Sequence, residues 1–164
     1  MDYIDQLKQF SVRAKNLVPV IQTEEATKNA LILPFFQMLG YDVFNPAEFV
    51  PEFVADVGTK KGEKVDYAIM VDGAPAILIE AKWCGEDLAQ HDSQLFRYFA
   101  TSDAKLAILT NGIIYRFYTD LDAPNKMDLT PFMEFNLFDI KENLIPELKR
   151  FQKASLDVED IFSA

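Results

Sequence analysis

Two apolar segments joined by a short turn constrain the fold of this sequence more than any other feature. Residues 64–71 and 76–82 are rich in Val, Ile and Ala, and Asp72-Gly73 lies between them. The Asp-Gly pair tolerates the positive φ angles that tight hairpin turns require. The pattern therefore predicts a β-hairpin in the middle of the chain.

Three charged side chains lie within these apolar segments. Asp66 belongs to the first, and Glu80 and Lys82 belong to the second. A half-buried charge costs free energy unless a partner or a metal ion compensates it. We therefore regard these three residues as the main candidates for a functional site.

The spacing of the three charges favours a metal site. Glu80 and Lys82 are two residues apart, so a strand presents both on one face. Folding about the turn can bring Asp66 beside Glu80, and two carboxylates suit a hard divalent cation such as Mg²⁺. A nearby lysine would orient a metal-bound water or help to deprotonate it, and it would stabilise the charge on an attacked phosphate. The alternative is that Glu80 and Lys82 only form an ion pair on a solvent-exposed edge strand.

The composition is that of a soluble globular protein with one domain. The chain has 164 residues, of which 49% are hydrophobic and 26% are charged. It has no apolar run long enough to span a membrane and no basic segment at its start, so we expect a cytoplasmic protein without membrane contact. Its single cysteine, Cys84, excludes an internal disulfide and a cysteine-based zinc cluster. We expect a small, partly buried thiol there.

The net charge of −10 argues against a domain that holds nucleic acid by bulk electrostatics. Non-specific affinity for nucleic acid comes mostly from Lys and Arg that neutralise phosphates. A nuclease is still compatible with this charge, because a site for divalent cations concentrates carboxylates. The DNA would then be delivered by another domain or subunit.

Apolar periodicity predicts four helices. They comprise residues 2–17, a run from the N-cap Thr23 to Gly40, residues 86–101 and residues 140–153. In the second helix we expect Pro34 to cause a kink. Glu24 and Glu25 suit the positive end of its dipole, and a capping role alone would also explain them.

A second hairpin at Asn111-Gly112 completes the predicted sheet, because Asn-Gly strongly favours a two-residue hairpin turn. The further strand-like or extended segments are residues 41–45, 49–57, 105–110 and 113–118. We predict polar turns in 58–62 and a loop-rich stretch in 119–136. The fold class is therefore α/β, with a central mixed sheet of four to five strands flanked by helices.

Two polar residues on the third predicted helix add to the candidate site. Gln94 and Tyr98 are four residues apart, which places them one turn from each other on the same face. His91 lies nearby, but a lone histidine is more often a surface or capping residue than a metal ligand.

The ordered series of Asp66, Glu80-Ala81-Lys82 and Gln94 to Tyr98 resembles the active site of the PD-(D/E)-x-K nuclease superfamily with its Gln-x-x-x-Tyr motif. More narrowly, it resembles the N-terminal nuclease domain of type I restriction enzyme R subunits. Supporting similarity is found in residues 29–36, 39–42, 64–68 and 109–112, and the likeness covers about residues 23–120. Single short motifs are weak evidence, whereas the ordered series is more specific.

The resemblance implies a restriction-endonuclease-like core and a single nuclease-like domain over residues 1–164. The core would span about 20–120, and residues 121–164 would form a C-terminal extension that leads into a further region. In this family the upstream helix supplies an acid. The resemblance assigns that role to Glu25, with Glu24 as the close competitor.

The resemblance also implies roles for the remaining site residues. Asp66 and Glu80 would bind Mg²⁺, for which Mn²⁺ can substitute, and the carbonyl of Ala81 would complete the shell. Lys82 would serve the nucleophilic water. The Gln94 and Tyr98 side chains would position the site or touch the DNA backbone.

The implied reaction is hydrolysis of DNA phosphodiester bonds, with DNA, a helicase or translocase, and modification and specificity subunits as partners. Residues 58–64 do not match the Gly-x-x-x-x-Gly-Lys-Ser/Thr loop of ATPases, so we predict no ATPase motor in this chain. The alternative function is a non-catalytic protein-interaction or DNA-mimic module that retains the nuclease fold.

Overall fold

The predicted hairpin about Asp72-Gly73 forms part of a central six-stranded sheet. A computed structural model describes residues 2–54, 64–90, 92–121, 123–124 and 126–157. The strands follow one another across the sheet in chain order. They are β1 (Phe49–Phe53), β2 (Val65–Val71), β3 (Ala74–Ala81), β4 (Leu106–Thr110), β5 (Ile114–Tyr118) and β6 (Met133–Asn136).

Both predicted hairpins are confirmed. β2 pairs antiparallel with β3, and β4 pairs antiparallel with β5. The first turn matches its sequence, since Asp72 and Gly73 both have positive φ, whereas in the second turn Gly112 has positive φ and Asn111 does not. β3 and β4 are parallel, and the other neighbouring strands are antiparallel, so the sheet is mixed.

The helices lie between and beside these strands. They are α1 (Tyr3–Leu17), α2 (Glu24–Thr27), α3 (Leu33–Met38), α4 (Asp92–Thr101) and α5 (Ile145–Lys149). Thr23 is confirmed as an N-cap, because its hydroxyl accepts a 3.0 Å hydrogen bond from the Ala26 N–H. No helix in the described part of the chain is long and apolar enough to cross a membrane.

The second predicted helix is continuous but irregular. A π-helical turn, Lys28–Ile32, joins α2 to α3, and the Leu33 N–H donates to the Lys28 carbonyl five residues earlier. Pro34 follows at the start of α3, where its missing N–H is tolerated. The irregularity therefore precedes the proline and widens the helix at Lys28.

Apolar side chains pack on both faces of the sheet. One cluster joins α1 and α3 to one face, where Phe35 stacks on Tyr115 with ring centroids 3.9 Å apart. The other cluster packs α4 on the opposite face through Leu95, Tyr98 and Phe99. The result is a three-layer α/β fold with the sheet in the middle.

The structure corrects three details of the prediction. The sheet has six strands, because Met133–Asn136 pairs with β5 inside a stretch that we expected to be loop-rich. The helix predicted over 86–101 is shorter, as a 3₁₀ turn at Leu88–Gln90 precedes α4. The helix predicted over 140–153 is reduced to a 3₁₀ turn and α5. The turn predicted in 58–62 lies outside the described residues.

Gly112 brings the β4–β5 turn close to the second helical run. A Cβ at Gly112 would lie 2.9 Å from the Leu31 Cβ and 3.1 Å from the Thr27 Cγ2. A Cβ at Gly73, by contrast, would meet nothing within 4 Å, although its φ is also positive. Only at Gly112 does the close approach add to the backbone strain.

We therefore predict that Gly112→Ala destabilises the protein much more than Gly73→Ala. Backbone strain alone should cost about 1 kcal/mol at Gly73, and overpacking should add about 2 kcal/mol at Gly112. Urea unfolding followed by circular dichroism measures both values. Equal losses of stability in the two variants would contradict this packing.

Candidate active site

Asp66 and Glu80 lie opposite each other on adjacent strands. Tyr67 pairs with Ile79 in the β2–β3 register, which places Asp66, one residue earlier, across from Glu80, one residue later. Residues opposite each other in an antiparallel pair share a face and have close Cβ atoms. The backbone N–H of Ala81 also donates a 2.8 Å hydrogen bond to Asp66 Oδ2. The structure thus brings together the two carboxylates that the sequence predicted.

Glu80 is a buried carboxylate without a full set of partners. It is 2% exposed, and its Oε2 has no hydrogen-bond partner in the described part of the chain. The pKa of Glu80 is raised to about 7, mainly by burial; the charges of Asp66 and Glu24 add to this rise, and those of Lys82 and Arg97 oppose it. Buried polar groups nearly always have partners, so this oxygen is suited to a ligand such as an ion.

Lys82 follows β3 beside the carboxylates. Its backbone N–H donates to the Thr110 carbonyl at 2.8 Å, which ties the end of β3 to the end of β4. The side chain is half-buried, and its positive charge lowers the pKa of Glu80. The charge of Lys82 therefore acts on the Glu80 carboxylate.

The second helical run brings Glu24 to this group. Burial raises the pKa of Glu24, and the nearby Asp66 charge raises it further, whereas Lys28 and Lys82 lower it. Glu25 differs, because its side chain is 76% exposed and contacts Lys28 at 3.1 Å. Adjacent helical residues point about 100° apart. The Glu24 side chain is thus the less exposed of the two, at 42%, and the family-based assignment to Glu25 stays a prediction.

Sequence reasoning missed Lys28. Its Nζ lies 2.9 Å from Asp66 Oδ1, 3.1 Å from Glu25 Oε1 and 3.8 Å from Glu24 Oε2. Burial lowers the pKa of Lys28, but hydrogen bonds and charges from Asp66 and Glu25 outweigh it and raise the pKa. The only sequence signal was its spacing of three and four residues from the two acids, which is common on exposed helix faces.

Three supporting contacts hold the second helical run and the loop after β3 in place. The Trp83 indole N–H donates to the Ile21 carbonyl, and the Cys84 N–H donates to the Thr27 hydroxyl, both at 3.0 Å. The Asn111 side chain donates to the Glu86 carbonyl at 2.9 Å. The sequence identified Asn111 only as a turn residue, since contacts between distant segments leave no local pattern.

Gln94 and Tyr98 share one face of α4, as predicted. The Gln94 amide donates to the Tyr98 hydroxyl at 2.7 Å, and Tyr98 is 2% exposed. Arg97 of the same helix lowers the pKa of Glu80, and α4 packs on the sheet through the cluster that contains Leu78 of β3. His91 lies outside the described residues.

Asp66 and Glu80 could bind a divalent ion if backbone carbonyl groups and water supply the remaining ligands. Across the described ranges, no three His, Cys, Asp or Glu side chains form a group that could hold a metal ion. Asp66 and Glu80 provide two carboxylates, and the unpartnered Glu80 Oε2 is available as a ligand. Mg²⁺ commonly binds through one or two carboxylates and keeps several waters, so this pair is sufficient for it.

We predict that Glu80 makes the metal-free protein less stable as the pH rises. Its pKa is raised from 4.5 to about 7 in the folded state, so folded protein keeps a proton that unfolded chain releases. This contribution is complete below pH 4.5 and is lost as the pH rises through about 7. The slope would reach about −1.4 kcal/mol per pH unit.

Urea unfolding in EDTA between about pH 5 and pH 8 measures this slope. Glu80→Gln cannot ionise and should remove it. Glu142→Gln, at a carboxylate whose side chain is 71% exposed, should leave it unchanged. Identical slopes in wild-type protein and Glu80→Gln would contradict the assignment.

Comparisons with known proteins give a family match and a fold match. Residues 48–126 match the family model described as type I restriction enzyme R protein N terminus. A solved structure, the cryo-EM structure of a DrdV–DNA complex, matches with a TM-score of 0.55 and 15% sequence identity. The match covers 90% of this chain and 96% of that chain, and at this identity it shows the fold alone. The comparison with curated proteins gave no match.

Proposed function

We propose that the chain is a metal-dependent DNA endonuclease, and the match of residues 48–126 to the family model of type I restriction enzyme R protein N termini supports this. It would act as the nuclease module of a type I restriction R subunit or as a stand-alone relative. The reaction is hydrolysis of a DNA phosphodiester bond. The observation that carries the proposal is the buried, unpartnered Glu80 carboxylate opposite Asp66.

The two carboxylates share one task in this proposal, which is to bind the metal ion. Asp66 and Glu80 would hold Mg²⁺, with the Ala81 carbonyl as a further ligand and Mn²⁺ as a substitute. The bound ion would activate water and offset the charge of the phosphate. The 2.8 Å hydrogen bond from the Ala81 N–H holds the Asp66 carboxylate beside β3.

Lys82 would act on the attacking water. In hydrolysis the water oxygen bonds to phosphorus, the bond to one ester oxygen breaks, and that oxygen leaves with a proton. The Lys82 ammonium would orient the water and stabilise the negative charge that develops on the phosphate. The Gln94–Tyr98 pair on α4 would position this side of the site or contact the DNA backbone.

Because the chain is acidic, we propose that another component delivers DNA to it in a restriction system. With a net charge of −10, the chain has little bulk attraction for phosphates. A helicase or translocase, together with modification and specificity subunits, would supply that attraction in a restriction system. The neighbouring DrdV structure contains DNA, which is compatible with DNA as the substrate here.

We predict that purified protein nicks plasmid DNA with Mg²⁺ or Mn²⁺ and that EDTA stops the reaction. Glu80→Gln and Lys82→Ala should each lower the rate by at least about 100-fold, because they remove electrostatic stabilisation of the transition state. Lys141→Ala, at a surface lysine whose side chain is 62% exposed, is the matched control. Agarose gels of plasmid over time measure the rates.

Two results would contradict the proposal. Unchanged cleavage by Lys82→Ala would point to a contaminating nuclease. No cleavage at any protein concentration, together with no Mg²⁺ binding in calorimetry, would favour a non-catalytic interaction or DNA-mimic module.

We further predict that Glu24 matters more to cleavage than Glu25. Glu24 shares its electrostatic environment with Asp66 and Lys82, whereas the Glu25 side chain is 76% exposed. Glu24→Gln should therefore slow cleavage about tenfold or more relative to Glu25→Gln. The same plasmid assay compares them, and a larger loss in Glu25→Gln would return the role to Glu25.

A further inference from the structure

We propose that the Lys28 ammonium is an internal counterion that a divalent ion must displace from Asp66. This inference rests on the proposed function, because it concerns how the same carboxylates take up their ion. Lys28 would regulate metal affinity without touching the substrate, and it is therefore a positioning residue.

The contacts of Asp66 carry the first step. Its Oδ2 accepts from the Ala81 N–H at 2.8 Å, and its Oδ1 lies 2.9 Å from Lys28 Nζ. Both oxygens therefore already have a partner. An incoming ion would share Oδ1 with an ammonium group, and two cations so close repel each other strongly.

The local helix geometry explains why Lys28 reaches so far into the site. Lys28 is the first residue of the π-helical turn, and such turns are frequent at functional sites. Its side chain is 12% exposed, and its Nζ lies 5.8 Å from the centroid of the Tyr67 ring. The ammonium is thus held between α2 and β2 and is largely shielded from solvent.

The ammonium compensates only part of the negative charge. Within the described part of the chain it pairs with Asp66, Glu24 and Glu25, while Glu80 Oε2 stays without a hydrogen bond. A divalent ion can satisfy Asp66 and Glu80 together, which a single ammonium at Asp66 does not do. This difference gives the ion its advantage over Lys28.

Glu25 offers Lys28 a second position. Its carboxylate lies 3.1 Å from Lys28 Nζ, and its side chain is 76% exposed. When an ion binds Asp66, the ammonium can shift towards Glu25 and keep a carboxylate partner. This gives Glu25 a role in ion uptake that differs from that of a metal ligand.

Titration calorimetry of Mg²⁺ into the full chain tests the proposal. Lys28→Gln removes the competing charge and should tighten Mg²⁺ binding by about tenfold, whereas Lys28→Arg keeps the charge and should bind like wild-type protein. Glu25→Gln removes the second position and should weaken binding by about threefold. Lys153→Gln is the matched control, because it breaks a 2.6 Å ion pair with Glu48 outside the proposed site.

The outcomes separate this inference from the proposed function. Unchanged or weaker binding by a Lys28→Gln variant with a native circular dichroism spectrum overturns the inference alone. Equal tightening in Lys28→Arg also overturns it, since charge would then not be the cause. Binding by Lys28→Gln but not by wild-type protein supports it. Absence of Mg²⁺ binding in both overturns the inference and the metal-dependent function together.

If Lys28→Gln does not fold, Glu25→Gln decides the matter. Because the Glu25 side chain is exposed, we expect this variant to fold. Weaker Mg²⁺ binding by it would support the second position for Lys28. Unchanged or tighter binding by Glu25→Gln would overturn it.

Discussion

The structure around the site depends on holding two carboxylates side by side in an apolar sheet. Asp66 is compensated by a backbone N–H and by Lys28, whereas the buried Glu80 keeps one oxygen without a partner. Such an arrangement is costly in the absence of a ligand, because a buried charge requires partners. In our proposal, a divalent cation supplies the partner that the Glu80 oxygen lacks.

Elements from both faces of the sheet meet at this pair. α2 and the π-helical turn that follows it contribute Glu24 and Lys28, and α4 on the other face carries Arg97 and the Gln94–Tyr98 pair. The close approach at Gly112 and the hydrogen bond from the Cys84 N–H to Thr27 fix the first of these helices. These contacts therefore stabilise the fold and also position the residues of the site.

The turn residues predicted the two central hairpins from the sequence alone. The last strand and the roles of the helix residues depend on tertiary contacts. Asp72-Gly73 and Asn111-Gly112 identify their hairpins because Asp72, Gly73 and Gly112 supply the positive φ angles of the turns. The strand Met133–Asn136 has only four residues next to Pro131, so its pairing with β5 defines it more than its own pattern. Lys28 resembles an ordinary exposed helix residue until Asp66 is placed 2.9 Å away. Similarly, only the orientation of α2 distinguishes Glu24 from Glu25.

The central claim is that Asp66 and Glu80 bind a divalent ion. Anomalous diffraction from crystals grown with Mn²⁺ tests it most directly, because the signal locates the metal independently of activity. We predict an anomalous peak within about 2.5 Å of carboxylate oxygens of both residues, with Lys28 Nζ moved away from Asp66. A structure with Mn²⁺ in solution but no peak between these carboxylates, and Lys28 still on Asp66, would contradict the account.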